Sequence, residues 1–514
     1  MIPHCKASCC FWISFILFSL ASCEKTYGIE SSFGIETTIS IGVGQAAYSP
    51  REQDVIVEAI QMRRQISDVT VYNNVCTVTF QGGKTAHLRF DIFPYISTED
   101  GESWKLNGDE TGLPVCLDEN GGVVIPVLTP GHDLWYLENY ESSTTTRPYW
   151  EYSSENTSTH VAGLMEYENR LFIYKSDGTV DAIPIIKEGF YRVPEYWIGH
   201  LVEKEKKAEA AIAEADNDCA AFVFLTDTHW GKNMKKSPAL IRHIMDFTPF
   251  EDVVFGGDVI TTHSTNLVAP MELGRDFQAS FAFLGTRFHC LYGNHDNNSD
   301  SQQRKTEYHL SEEQVYSWLQ SQMTDVVYGD YYNFYYDNPS AKTRIICLDT
   351  GRYYYSLFWG TLPNTVQFAV DALNSLPDGW HAIMASHIWC LNKKQSDGSY
   401  IQYIGDFVQP ILKVFDDYNA RLSGTYEYKG ESVPYDFANS RGSIEFCIGG
   451  HTHIEYTTES EGGIPIIITY SDYAKTPQPG TDQEQSVTMV VADYKNHQLK
   501  LFVVGRGSDR TIDL

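Results

Sequence analysis

The amino-acid sequence predicts an α/β protein, a two-sheet sandwich flanked by helices and preceded by a smaller all-β domain. Three observations carry that expectation. Short β-prone runs separated by Gly, Asn, Asp and Ser fill residues 25 to about 190. From about 198 the texture changes, with a helix-like stretch, IGHLVEKEKKAEAAIAEA, followed by apolar strands that alternate with further helix-like stretches. Several of those strands end in Asp, Asn or His, at the carboxyl edge where open α/β sheets bind ligands.

The chain opens with a targeting segment. Lys6 precedes the apolar stretch FWISFILFSLA at 11–21, which is too short to span a bilayer. Leu20-Ala21-Ser22-Cys23 resembles a bacterial lipobox, which implies that residues 1–22 are a signal peptide and that Cys23 is lipid-modified. The protein is then exported and lipid-anchored to a bacterial membrane, periplasmic or at the cell surface, with Cys23 as its membrane contact. No later stretch is long and apolar enough to span one. Residues 24–190, with runs such as DVTVYNNVCTVTF, GVVIPVLT and RLFIYKSDGTVDAIPI, read as a β-rich accessory domain. Residues 191–218 read as a helical connector and 219–514 as the α/β domain, closed by IPIIITYSDY, SVTMVVADY and LKLFVVG.

Composition bounds the rest. A chain of 514 residues, 42% of them hydrophobic, exceeds one core and can fill two. The formal charge of −29 has no Lys/Arg stripe to relieve it, so nucleic acid is excluded as an expected partner. Of eleven cysteines, Cys5, Cys9, Cys10 and Cys23 belong to the leader. Cys76, Cys219, Cys290, Cys347, Cys390 and Cys447 sit in or beside apolar runs without CxxC spacing, as small buried hydrophobes do; Cys116 carries no signal.

Five apolar runs share one kind of ending. AFVFLTDTH closes on Asp227 and His229, DVVFGGD on Asp258, FHCLYGNHD on Asn294, His295 and Asp296, HAIMASH on His387, and IEFCIGGHTH on His451 and His453. Carboxylates and imidazoles with one amide oxygen form a mixed O/N shell suited to Mn, Fe or Zn, where a Ca or Mg site would be nearly all oxygen. These candidates are too many for one ion, whereas two ions ~3.5–4 Å apart need one bridging carboxylate. Glycines before Asp258 and before His451 let backbone approach such ions.

D-x-H, GD, GNHD, a lone strand-end His and GHTH, in that order over about residues 219–505, resemble the calcineurin-like metallophosphoesterases. The resemblance implies a metallophosphoesterase-type αββα sandwich and a metal-dependent phosphoric ester hydrolase acting on a phosphomonoester or phosphodiester. It implies that Asp227, His229 and His453 hold one divalent transition-metal ion and Asn294, His387 and His451 a second, with Asp258 bridging. His295 takes the position that contacts substrate and protonates the leaving-group oxygen, and Asp296 the place to orient that imidazole. Purple acid phosphatases of this superfamily carry tyrosine three residues after the second aspartate; Thr261 stands there, so the resemblance implies a divalent pair instead of a ferric–tyrosinate site. Trp230, Asn233, Tyr353, Tyr354, Tyr355 and Trp359 are pocket-rim or core candidates, His243 and His263 packing or surface residues. The leaving group is expected to be chosen by loops between the motifs, among them 297–342. The competing reading is a surface binding protein whose β domain grips a glycan and whose metal domain is inactive; missing ligands would favour it, and none is missing.

Overall fold

The computed structural model describes, besides short strands before residue 42 and between 95 and 175, residues 50–72, 75–89 and 179–514, except 217, 263, 300–305, 330–331, 351–360, 390–392, 395–399, 402–407 and 477. The leader other than residues 18–19, Cys23, Cys116, His263, Cys390, Tyr353, Tyr354, Tyr355 and Trp359 lie outside the described residues. The chain divides into two units, 1–198 and 199–514.

The first unit contains a helix the sequence texture did not suggest, α1 (Pro50–Gln61), then an antiparallel meander of β1 (Ile66–Tyr72), β2 (Val75–Phe80) and β3 (Thr85–Arg89). Alternation on β2 buries Cys76, Val78 and Phe80 on one face, the period of two that a half-covered antiparallel sheet requires. β4 (Tyr95–Ser97), β5 (Ser103–Leu106), β6 (Asp109–Pro114), β7 (Val161–Tyr167), β8 (Arg170–Lys175) and β9 (Val180–Pro184) form a second sheet in the order β9-β8-β7-β4-β5-β6.

After the helix α2 (Glu195–Glu214) the second unit builds two sheets. β10 (Cys219–Leu225) pairs in parallel with β11 (Asp252–Phe255), and β11 with β12 (Phe288–Cys290); the connections carry α3 (Ser237–Phe247) and α4 (Val268–Ser280). The connection to the second sheet carries α5 (Glu312–Leu319), opened by a Ser311/Gln314 capping box. α4 and α5 meet at Gly274, where an added Cβ would come 2.3 Å from the ring of buried Trp318, so only glycine permits that approach.

The second sheet is made of β13 (Val327–Tyr328), β14 (Phe334–Asn338), β15 (Thr343–Leu348), β16 (His381–Ser386), β17 (Ser443–Gly449), β18 (Tyr456–Glu459) and β19 (Pro465–Ile468), in the order β13-β14-β15-β16-β17-β19-β18. β20 (Ser486–Asp493), β21 (Gln498–Gly505) and β22 (Arg510–Asp513) return to the first, giving β12-β11-β10-β20-β21-β22. Every residue of β15 and β20 is buried, as strands covered on both faces must be. α3 lies against β20 on the first sheet; α6 (Pro363–Asn374) and α7 (Gln409–Asn419) lie against β15 and β17 on the second. Two stacked ring pairs join the sheets. His289 of β12 lies 3.6 Å from Tyr336 of β14, centroid to centroid, and His381 of β16 lies 3.7 Å from Tyr494 just past β20. This is the expected αββα sandwich, with a β-rich region in front.

Candidate metal centre

Backbone geometry first explains how so many polar side chains reach one place. Asp227, His229, Asp258, His451 and His453, each just beyond β10, β11 or β17, all have positive φ, between 42° and 71°. Left-handed backbone is costly for residues with a Cβ and persists where surrounding structure imposes it, typically at functional sites. Here it turns the chain sharply at the strand end, so that Asp227 and His229 both project inward. Gly450 shows how close the packing is, because a Cβ there would lie 2.4 Å from Asp227 Oδ2.

Two groups of ligand-type atoms result: Asp227, His229 and His453, and Asp258, His387 and His451, the atoms of each within 4.8 Å of one another. In the first, Asp227 Oδ1 lies 3.1 Å from His453 Nε2 and 3.9 Å from His229 Nε2, and the two imidazole Nε2 atoms are 3.0 Å apart. In the second, Asp258 Oδ2 lies 3.1 Å from His387 Nε2. Asp227 Oδ1 is also 4.0 Å from His387 Nε2, so the groups adjoin.

Hydrogen bonds prepare these atoms. His387 Nδ1 donates to the Gly256 carbonyl at 2.7 Å, which leaves the Nε2 lone pair for a ligand role. His229 Nδ1 bonds the Thr261 hydroxyl, which itself donates to the Ile260 carbonyl, so that hydroxyl accepts the imidazole proton and again frees Nε2. Thr261 thus acquires a supporting role invisible in the motif. Asp227 Oδ2 accepts from Thr226 Oγ1 and from the His451 amide, and Asp258 Oδ1 from the His295 amide at 2.8 Å. Asp227 Oδ1, His387 Nε2 and both amide atoms of Asn294 are buried without a hydrogen bond. Buried polar atoms left so cost of order 1–3 kcal/mol each unless something else binds them. Carboxylate and imidazole donors converging in this state, with the buried Asn294 amide also unpaired, fit a pair of transition-metal ions.

Charge couples the groups. Burial pushes the Asp227 and Asp258 carboxyls up, but nearby imidazoles outweigh it, His453 and His387 for Asp227, His387 and His295 for Asp258, and both stay below the usual carboxylate range. Burial holds His229 and His451 down to about 3. For His387 burial is overcome by Asp258 and Asp227, and its pKa rises to about 9.

Several expectations change. Asp296 does not turn toward His295. Its two oxygens accept from the amides of Asp258, Val259, Ile260 and Gly293, at 2.7–3.2 Å, so it clamps the turn that carries Asp258. Trp230 is no rim residue: it is fully buried, edge-on to Phe277, with its indole N–H on Asp276. Asn233 faces inward too, donating to the Thr228 carbonyl between Asp227 and His229 and to Asp472, which Ser237 and Gln485 also bond. Asp472 closes this support with its own amide on the Thr226 carbonyl. His243 is a packing residue, fully buried and 2.7 Å from Glu205. Cys76, Cys219, Cys290, Cys347 and Cys447 are buried free thiols. Among the described residues no helix is long and apolar enough to cross a membrane.

Residues 220–455 match the calcineurin-like phosphoesterase family. Among solved structures, a dimetal phosphatase from Danio rerio is 14% identical, aligned over 57% of this chain and 98% of that one, with a TM-score of 0.35. No curated protein matches the chain.

Proposed function

Since residues 220–455 are a calcineurin-like phosphoesterase domain and the protein a metal-dependent phosphoric ester hydrolase, we propose that it hydrolyses a small phosphomonoester or phosphodiester at a dinuclear centre. Asp227, His229 and His453 would hold one ion and Asn294, His387 and His451 the other, with Asp258 shared between them. The observation that supports this most is the meeting of two ligand groups, each within 4.8 Å, that contain buried atoms with no hydrogen bond. When bound, such a pair activates water and neutralises charge on the phosphoryl group.

The chain's own residues supply the remainder. His387 and His229 present Nε2 because their Nδ1 protons are engaged by Gly256 and Thr261. His295 is held by its amide on Asp258, while its side chain stays 18% exposed with Nε2 3.8 Å from Asp258 Oδ2. The exposed ring edge can deliver a proton to a departing oxygen. Phosphoester substrates, nucleotides and sugar phosphates offered to protein reconstituted with Mn, Fe or Zn test the reading, together with elemental analysis. Two ions per chain and hydrolysis are expected; protein that never exceeds one ion with all ligands intact refutes the dinuclear assignment.

Export and anchoring through Cys23 belong to the same proposal, supported by the lipobox-like LASC at 20–23. Cys23→Ala should move the protein from the membrane to the soluble fraction, because a lipid chain contributes ~0.8 kcal/mol per buried CH₂. Wild type found unacylated by mass spectrometry, with the mutant still membrane-bound, contradicts it.

A further inference from the structure

We propose that the cavity beside His453 receives the leaving group, and that Lys475 and Arg506 select there a leaving group that carries an anionic charge of its own, a carboxylate or a second phosphate. The proposal rests on the phosphoester-hydrolase reading above and adds the substrate class to it.

The cavity has a volume of about 330 Å³ and is lined by His453, Tyr470, Lys475, Thr476, Gln483 and Arg506, among others. His453 belongs at once to this wall and to the first ligand group, so the cavity borders that group. Its size suits a group of a few carbon atoms with its charge, at the small end of ligand pockets. Two cations and no carboxylate line it, in a chain whose formal charge is −29. A local reversal of sign beside the reaction centre concentrates anions there.

The cations differ in how they are held. Arg506 Nη2 donates to the Ser471 and Asp472 carbonyls at 2.5 and 3.2 Å, and its guanidinium lies 5.7 Å from the Tyr470 ring, so the fork is fixed in place. Its Nε is buried and makes no hydrogen bond. Lys475 is exposed and has no ion-pair partner among the described residues. Asp472, whose charge attracts Arg506 from outside the cavity wall, is itself hydrogen-bonded by Asn233, Ser237 and Gln485, and Glu455 by the Ser508 amide. A fixed guanidinium and a mobile ammonium, neither neutralised by a neighbouring acid in the cavity, form a receptor for an oxyanion. The residues lie after the GHTH motif, not in the loops between motifs where sequence reasoning placed leaving-group choice.

Two substrates that differ only at the charge test this: 3-phosphoglycerate and glycerol 3-phosphate, with p-nitrophenyl phosphate as an uncharged-leaving-group reference, all on the full metal-loaded protein. We expect kcat/KM for 3-phosphoglycerate to exceed that for glycerol 3-phosphate by about 10-fold or more, as a charge-assisted contact would give. Lys475→Gln, at an exposed side chain, should remove most of that preference through KM for 3-phosphoglycerate. Gln483→Glu, which places a carboxylate in the cavity, should reverse it. Calorimetric binding of the same two ligands gives a readout independent of turnover and should show the same order. Equal binding and equal kcat/KM for the pair, with p-nitrophenyl phosphate still hydrolysed, overturns the cavity assignment and leaves the hydrolase reading standing. Absence of hydrolysis of every ester by metal-saturated protein, with charge-selective binding retained, overturns the reading of the reaction and not of the cavity.

Discussion

The two ligand groups are built from the same residue types and differ in what holds them. In the Asp258 group the imidazole is fixed by main chain, His387 by the Gly256 carbonyl, and Asp258 is held by the His295 amide and by a turn that the Asp296 carboxylate clamps. In the Asp227 group a side chain, Thr261, fixes His229, and His453 is 17% exposed and forms a wall of the cavity. Backbone supports cannot be mutated away and move little, whereas a hydroxyl can be lost by one substitution. The Asp258 group therefore reads as the anchored site and the Asp227 group as the adjustable one, beside the cavity.

The comparison breaks first at the residue the two groups share. Asp258→Ala removes the carboxylate assigned to both ions, so metal content should collapse in both groups and hydrolysis with it, by at least about 10³-fold in kcat. Elemental analysis beside kinetics decides it, and two ions retained per chain would show that Asp258 is not the bridge. His295→Ala should behave otherwise, keeping its metals while kcat falls ~10²- to 10⁴-fold on poor leaving groups and less on an activated aryl ester. Equal losses on both esters would remove its role as proton donor, and loss of metal would make it a ligand.

Protons sharpen the contrast in metal-stripped protein. Unfolded imidazoles titrate near about 6.5. His229 and His451 are held near 3 by burial, so below pH 6.5 the unfolded chain binds protons that the fold refuses, and stability falls as pH falls, by roughly 1.4 kcal/mol per unit for each residue. His387, raised to about 9 by Asp258 and Asp227, has the opposite sign: its contribution is complete below pH 6.5 and is lost as pH rises through 9. Asp296, raised to about 8 by burial and by Asp258, offsets one of the two imidazoles below pH 6.5 and adds to His387 above it, so stability of the chelator-treated protein should peak near 6.5 with an alkaline limb, up to about pH 8, roughly twice as steep as the acid one. Denaturant titrations across pH 5–9 measure it, and stability that rises as pH falls from 6.5 to 5 would mean that His229 and His451 are not held neutral.

Much of this site was readable before folding because its residues sit at the ends of apolar runs, and a strand fully buried to its last residue can deliver a polar side chain only to a site. Ala220 to Leu225 before Asp227 is the clearest case. The αββα arrangement followed from the same alternation. What escaped depended on tertiary approach. Asp296 looks like a partner for the adjacent His295, but neighbours in sequence point apart in a tight turn, and its carboxylate found four amides instead. Trp230 follows a ligand pair and resembles a rim aromatic, yet Phe277 and Phe281, far along the chain, enclose it. Asp472 has no motif around it and supports the D-x-H turn from a strand end of the other sheet. α1 is amphipathic, so its apolar residues do recur at helical spacing, and it escaped because it lies among β-prone runs whose texture set the reading of the whole region.

The smallest predicted effect tests the asymmetry most directly. Thr261 is 7% exposed and its hydroxyl has two duties: it donates to the Ile260 carbonyl and receives His229 Nδ1. Thr261→Val keeps the volume and removes both bonds. His229 Nδ1–H is then buried without an acceptor, and the imidazole gains by moving its proton to Nε2, the atom the Asp227 group needs bare. Loss of such a support lowers metal affinity about 10- to 100-fold, here at one group only, because His387 rests on backbone. Titration of metal-loaded protein with a chelator should therefore show wild type and Thr261→Val releasing one ion alike, while the variant releases the other at lower chelator concentration. Thr261→Ser, which keeps the hydroxyl, should restore the wild-type curve. Simultaneous weakening of both ions in Thr261→Val would mean that the two groups share their supports and that the distinction between an anchored and an adjustable site does not hold.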